Sequence, residues 1–92
     1  MSNSSLICYT NLSPYFTKGR THIIDTISIH CMAGDLSIAS CANVFKNPDP
    51  KKGCSSNYGI GSDGRIALYV NEENRSWCTS SSANDNRALT IE

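Results

Sequence analysis

The chain has 92 residues, which is enough for one small domain that buries a modest share of its surface. Lysine plus arginine equal aspartate plus glutamate at 8 each, so no net charge draws the chain to nucleic acid or to an anionic membrane surface. No stretch approaches the roughly 20 apolar residues of a membrane span, and residues 1–12 lack the basic start and apolar core of a secretory signal. We therefore expect cytoplasmic synthesis without a signal peptide, and no binding to nucleic acid or membrane.

The five cysteines predict neither a disulfide framework nor a structural zinc site. Their number is odd, no signal peptide accompanies them, and their spacings lack the paired Cys-x-x-Cys pattern. We expect mainly reduced thiols at these positions: Cys8, Cys31, Cys41, Cys54 and Cys78. One disulfide between two of Cys31, Cys41 and Cys54 stays open for a chain that reaches an oxidising exterior.

The start of the chain is polar and rich in turn signals, among them Ser13-Pro14 and Lys18-Gly19. We predict that residues 1–11 form a poorly ordered lead-in. Residues 12–92 are predicted to belong to a single domain.

The clearest strand lies at 22–30, which is rich in β-branched residues and alternates in polarity towards its end. The period of two sends Ile27 and Ile29 to one face of the sheet and Ser28 and His30 to the other. His30 is therefore predicted to stand at the carboxyl end of a strand, pointing away from the apolar face.

A short amphipathic helix is predicted next. Four positions follow the i, i+3, i+4, i+7 spacing of one helix face: Ile38, Cys41, Ala42 and Phe45. Asp35 or Ser37 would cap its N-terminus, and the proline-rich residues 47–53 would end it in an exposed loop.

A β-hairpin is predicted over 55–60 and 65–70, because both runs flank the turn sequence Gly61-Ser62-Asp63-Gly64. Its buried face would carry Ile66, Leu68 and Val70. Residues 84–86 are predicted to form a turn that leads into the last strand.

The last predicted strand covers 87–92. Leu89 and Ile91 would bury one of its faces and leave Thr90 and Glu92 on the other. A strand that is apolar on one face needs further elements to pack against, so we expect the domain to be incomplete after Glu92.

His30 is a candidate metal ligand. A neutral imidazole at a rigid strand end suits zinc, provided that two more ligands and a water complete the tetrahedron. An isolated histidine is more often a half-buried polar residue. The chain's other histidine, His22, is about 26 Å away along an extended strand at roughly 3.3 Å per residue, so a shared metal is excluded for a straight strand.

Three further side chains have both an ordinary and a functional interpretation. Tyr58 is a strand aromatic or a phenol aimed at a substrate carbonyl. Glu92 is a solvated carboxylate or a base that accepts a proton during metal-assisted hydrolysis. Trp77 is a packing anchor or a ring that stacks on a sugar.

Four pieces of the sequence stand in a characteristic order and spacing: Ile27-Ser28-Ile29-His30-Cys31-Met32-Ala33-Gly34, Ser56-Asn57-Tyr58-Gly59-Ile60-Gly61-Ser62-Asp63-Gly64-Arg65-Ile66, Ser76-Trp77, and Asn84 with Arg87-Ala88-Leu89-Thr90-Ile91-Glu92. Together they resemble the type 2 N-acetylmuramoyl-L-alanine amidase family of phage endolysins and bacterial autolysins, which is related to peptidoglycan recognition proteins. The resemblance covers about residues 12–92.

The resemblance implies a mixed α/β domain with a central mixed β-sheet flanked by helices, of which residues 12–92 would be the N-terminal portion. It implies zinc-dependent hydrolysis of the amide between N-acetylmuramic acid and L-alanine in bacterial peptidoglycan. The expected partner is the glycan with its stem peptide, met at the cell wall after release of the protein. A complete domain would act as a monomer.

The resemblance also assigns residues to the site. His30 matches the first zinc ligand of the family, and Glu92 matches a glutamate treated as a general base. Tyr58 matches a tyrosine that lies beside the scissile carbonyl in part of the family. Asn57 and Trp77 are the expected substrate contacts.

The sequence departs from the family in two places. The remaining zinc ligands, a histidine followed by a cysteine or aspartate, lie in the family beyond the position of Glu92. We therefore expect neither stable zinc binding nor turnover from a polypeptide that ends there. The motif Trp-His-Ala-Gly of many members is Trp77-Cys78-Thr79-Ser80 here. The alternative is a noncatalytic module that binds peptidoglycan without the metal.

Overall fold

A computed structural model describes residues 3–31 and 37–92. These two stretches contain seven strands, two α-helices and a 3₁₀ turn at Pro50–Lys52. The strands are β1 (Tyr9–Thr10), β2 (Phe16–Thr17), β3 (Thr26–Ile29), β4 (Tyr58–Ile60), β5 (Ile66–Leu68), β6 (Arg75–Ser76) and β7 (Ala88–Ile91), and the helices are α1 (Ile38–Val44) and α2 (Ser82–Arg87). No helix within the described residues has the length and apolar character needed to cross a membrane.

Five strands form one mixed sheet in the order β1-β5-β4-β7-β3. β4 and β5 are antiparallel, whereas β1 with β5, β4 with β7 and β3 with β7 are parallel. β2 and β6 form a separate antiparallel pair. This mixed sheet with two helices confirms the predicted α/β class.

The predicted hairpin is present as β4 and β5. Gly64 has φ +83° and donates its N–H to the carbonyl of Gly61 at 2.9 Å. Gly61 in turn donates to the carbonyl of Arg65 at 2.9 Å, which closes the turn. Because L side chains are strained at positive φ, this turn requires glycine at position 64.

The predicted helix is also present. Ser37 caps α1, since its hydroxyl accepts a hydrogen bond from the Ser40 amide at 3.1 Å. The other predicted cap, Asp35, lies outside the described residues, as do residues 32–34 of the family motif. The four predicted core positions of the helix are buried against Ala67 and Tyr69. Phe45 meets Tyr69 edge to face, with ring centroids 5.1 Å apart.

The burial of β7 is the reverse of the prediction, and the apolar face of β3 is exposed as well. Ile27 and Ile29 are 65% and 78% exposed, whereas Thr90 is fully buried. The cause is the side on which α1 packs. Helix α1 contacts Ala67 of β5, and Ala67 pairs with Gly59 of β4. The register of β4 on β7 places Gly59 beside Glu92. Helix α1 therefore covers the face of β7 that carries Thr90 and Glu92. The apolar face of these strands is left accessible.

The predicted lead-in contains a strand. β1 pairs with β5, because the Cys8 amide donates to the Ile66 carbonyl at 3.0 Å and the Asn11 amide donates to the Leu68 carbonyl at 3.1 Å. Tyr9 packs against the core cluster. The open edge of β5 therefore gives backbone partners to a segment whose own composition is that of a loop.

The predicted turn at 84–86 lies inside the short helix α2. The Ser81 hydroxyl caps this helix by accepting a hydrogen bond from the Asn84 amide at 3.2 Å. Helix α2 runs directly into β7 and thereby sets where that strand begins.

Candidate functional site

His30 and Glu92 form a pair at the carboxyl ends of two neighbouring parallel strands. β3 and β7 are in register, with Ile29 opposite Ile91. The residues that follow, His30 and Glu92, therefore lie opposite each other. The His30 amide donates to the Ile91 carbonyl at 2.8 Å. Nδ1 of His30 lies 2.6 Å from Oε1 of Glu92. The sheet thus joins two predicted site residues that are far apart in sequence.

The two members of the pair differ in exposure. The His30 side chain is 54% exposed, whereas the Glu92 side chain is 5% exposed. Burial raises the pKa of the Glu92 carboxyl, and the neighbouring His30 offsets part of that effect. Its second oxygen, Oε2, is buried and has no hydrogen-bond partner among the described residues. This oxygen is free to accept a proton or to meet a cation.

The pair opens into a cavity of about 400 Å³ between the sheet and α1. Most of its wall is apolar, and its lining includes Ile29, Ile38, Ile60, Tyr69, Cys31 and Cys41. Gly59 is required in this wall, since a Cβ there would lie 2.5 Å from a ring carbon of Tyr69. The result is a largely apolar groove with the His30–Glu92 pair at its edge.

The pair fits part of a zinc site. An imidazole nitrogen and a carboxylate oxygen are both zinc donors, and a cation would satisfy the buried Oε2. A catalytic zinc takes three protein ligands, and within 3–31 and 37–92 no three His, Cys, Asp or Glu side chains come together as a metal site. His22 lines a different depression beside Asn84 and Arg87. The described residues therefore supply the donor chemistry without the full donor number.

Tyr58 lies on the other face of the sheet. It is level with Ile91, one residue before Glu92, so its side chain points away from the His30–Glu92 pair. Its hydroxyl donates to the Glu72 carboxylate and accepts from the Ser4 amide at 2.8 Å. Burial, with a contribution from Glu72, raises the pKa of Tyr58 to about 12. The structure does not bring this phenol to the pair.

Asn57, which directly precedes β4, is fully buried. Its side-chain oxygen accepts from Arg20, the Thr90 amide and the Thr90 hydroxyl, and its side-chain nitrogen donates to the carbonyls of Val70, Asn71 and Asn74. These bonds satisfy both ends of the amide. The residue predicted to contact substrate is here a link between β7 and the segment after β5.

Trp77 is 40% exposed and lines a second depression, of about 290 Å³, with Arg75. Its ring centroid lies 5.7 Å from that of Tyr15, and its Nε1 donates to the Thr17 hydroxyl at 3.1 Å. The ring is thus held in place while part of its surface stays accessible. It does not line the cavity of the His30–Glu92 pair.

Arg20 supports the site from a distance and had no recognisable signal in the sequence. Its guanidinium donates to five oxygens, which are the carbonyls of Glu72, Asp85, Asn86 and Ala88 and the side chain of Asn57. Most of these acceptors are backbone atoms more than 50 residues away, so no motif could reveal them. The contact fixes the junction of α2 and β7, and hence the strand that ends at Glu92.

A family model described as N-acetylmuramoyl-L-alanine amidase matches residues 19–92. The match includes both members of the pair and most of the described sheet. No match was found among curated proteins or among solved structures.

Proposed function

Because the chain belongs to the N-acetylmuramoyl-L-alanine amidase family, we propose that its site hydrolyses the amide between N-acetylmuramic acid and L-alanine in peptidoglycan with the help of zinc. The family match supports peptidoglycan amidase activity at the level of the family. The observation that carries the proposal is the 2.6 Å contact between His30 and Glu92 at the mouth of a groove.

His30 is proposed to hold the metal. With Nδ1–H donating to Oε1 of Glu92, the lone pair of the ring remains on Nε2. The His30 side chain is 54% exposed, and we propose that Nε2 lies on its exposed side. When bound, zinc would supply Lewis-acid polarisation of the scissile carbonyl.

Glu92 is proposed to orient His30 and to move the proton. Oε1 fixes the tautomer of the ring, while the buried Oε2 has a free acceptor position. Burial raises the pKa of this carboxyl, which makes it a better base than a solvated glutamate. Zinc on Nε2 would lie across the ring from Oε1, so Glu92 would take a proton from the attacking water, and deliver it to the amine of the departing L-alanine, after its side chain turns from Nδ1 towards the metal.

The remaining zinc ligands are proposed to come from residues outside those described, above all from sequence that follows Glu92. The reason is chemical, since a catalytic zinc needs three protein ligands and the proposal assigns it one among the described residues, His30, with Glu92 reserved for proton transfer.

Trp77 is proposed to stack on a sugar of the glycan. Its partly exposed ring is held by Thr17 and Tyr15, which lowers the entropy cost of stacking. It lies outside the His30 cavity, so this contact would be made away from the scissile bond. We further propose that the protein acts as a phage endolysin or autolysin, as a monomer, on the wall that it reaches after release from the cytoplasm.

The test is release of new amino termini from insoluble peptidoglycan. It would use the 92-residue chain, and in parallel the chain continued through whatever its gene encodes after Glu92. Release that requires zinc, stops with a chelator and disappears in His30→Ala supports the proposal. Release that survives either treatment contradicts it.

A noncatalytic peptidoglycan-binding module is the second candidate, favoured by the incomplete donor set among the described residues. It predicts that the continued chain pellets with insoluble peptidoglycan and releases no amino termini. The same two preparations therefore separate the candidates.

A further inference from the structure

Cys54 and Cys78 stand on two segments that run side by side. The Ser55 amide donates to the Trp77 carbonyl at 3.0 Å, and the Trp77 amide donates to the Ser55 hydroxyl at 3.1 Å. Two residues further on, the Asn57 side chain donates to the Asn74 carbonyl at 3.3 Å. From residue 55 to residue 57 along the first segment, the contacted residue moves back from 77 to 74 along the second. The two segments are therefore antiparallel.

This register brings the cysteines together. Cys54 precedes Ser55 and Cys78 follows Trp77, so they are the next facing pair of the two segments. Facing residues of antiparallel segments have Cα atoms about 4.5–5.5 Å apart, within the range that a disulfide spans. Both residues are half buried and line the same depression beside Trp77.

We propose that Cys54 and Cys78 are a redox-modifiable dithiol that closes to a disulfide under oxidising conditions. This pairing differs from those among Cys31, Cys41 and Cys54 that the sequence leaves open. None of the other three cysteines lines the depression beside Trp77. Cys8 and Cys31 are exposed, and Cys41 lies on the buried face of α1.

The reaction with a low-molecular-weight disulfide such as oxidised glutathione balances in two steps. One cysteine loses its proton and attacks the reagent, forming a mixed disulfide and releasing one glutathione thiol. The other loses its proton and attacks the protein sulfur of that mixed disulfide, forming the Cys54–Cys78 bond and releasing the second glutathione. Burial raises the pKa of Cys78 to about 12, so exchange is expected to be slow at neutral pH and faster at higher pH.

The bond would close a loop of about 25 residues, which restricts the unfolded chain. It would also tie the segment before β4 to the segment that carries Trp77. We therefore expect the oxidised protein to melt more than about 10 °C above the reduced protein.

The experiment treats the folded 92-residue chain with oxidised glutathione at pH 8 and digests it with trypsin without reduction. Cleavage at lysine and arginine isolates the two cysteines in separate peptides, 53–65 and 76–87, while Cys31 and Cys41 share peptide 21–46. A monomer that loses two of its five thiols and yields linked peptides 53–65 and 76–87 supports the proposal.

The variants set the controls. Cys8→Ser should leave the link intact, since Cys8 is exposed and outside the pair. Cys54→Ser and Cys78→Ser should each abolish it. No loss of thiols in the native chain, or a link from Cys54 to peptide 21–46, overturns the proposal, and this peptide map of the unaltered protein decides even if a serine variant fails to fold.

Discussion

Nδ1 of His30 lies 2.6 Å from Oε1 of Glu92, although the two residues are 62 positions apart in the chain. The contact joins an imidazole that is 54% exposed to a carboxylate that is 5% exposed. This gradient of exposure lets one residue meet a ligand while the other stays shielded from water.

His30→Ala is expected to lower zinc-dependent amide hydrolysis by more than about 100-fold. Loss of a residue that only hydrogen-bonds to a metal ligand already costs about 10–100-fold in metal affinity or activity, and loss of the ligand itself should cost more. The measurement, made on the chain continued past Glu92, is release of amino termini from peptidoglycan, together with zinc retained after dialysis. His22→Ala is the matched control, since His22 is exposed and lines a different depression. Equal losses in the two variants would remove His30 from the proposed site.

Glu92→Gln is expected to lower activity by about 10²–10⁴-fold while the chain stays folded, because the amide keeps the shape and cannot accept the proton. Glu73→Gln changes an exposed glutamate and should leave activity unchanged. Activity of Glu92→Gln within a few fold of the unaltered protein would show that another group moves the proton.

Glu92→Gln should also change the pH dependence of stability. Burial raises the pKa of the carboxyl above its ordinary 4.5. Stability associated with the protonated form is fully present below pH 4.5 and is lost as pH rises through the folded-state pKa. The variant should therefore gain stability relative to the unaltered protein between pH 4 and pH 7. Urea unfolding followed by the fluorescence of Trp77 measures this difference, and a constant difference across that range would contradict it.

Asn57→Ala is expected to destabilise the fold by about 3 kcal/mol or more, because it leaves several buried groups without a hydrogen-bond partner and each such group costs about 1–3 kcal/mol. These groups include the Thr90 amide and the Arg20 guanidinium. Asn86→Ala is the control, since the bonds of that side chain to Thr21 are exposed. An Asn57→Ala protein of unchanged melting temperature and raised KM would instead support the substrate contact predicted from the sequence.

Elements with strong local signals were predictable. Spacing located α1, residue type gave Ser37 as one of two candidate caps, and the glycines at 61 and 64 located the turn between β4 and β5. His30 was correctly expected at a strand end on the polar face. In each case the determining contacts lie within a few residues of one another.

The sequence could not show which face of the sheet is buried. Alternation defines two faces of β7, but the choice depends on where α1 packs, and that rests on Ala67 and Tyr69. The strand β1 was missed for the same reason, because its order comes from the edge of β5. The contact of His30 with Glu92 likewise required the parallel register of β3 on β7.

An ion pair between Asp25 and Arg87 joins the residues that precede β3 and β7. Nε and one terminal nitrogen of Arg87 contact the two carboxylate oxygens of Asp25 at 2.8 and 2.5 Å. The hydrogen bond from Arg87 lowers the pKa of Asp25 from 3.8 to about 2. The stability that this carboxylate contributes is therefore present above pH 3.8 and is lost as pH falls towards 2.

Asp25→Asn should accordingly be less stable than the unaltered protein at pH 6, and this difference should shrink as pH falls from about 4 to 2. The difference should also shrink in 1 M salt, because both side chains are accessible to solvent. Urea unfolding at pH 6 and at pH 2 measures this difference in stability. In an Arg87→Ala background the same substitution should have little effect, since the pair is already broken. An undiminished effect in that background would mean that Asp25 stabilises the strand through its other contact, the hydrogen bond from Thr26.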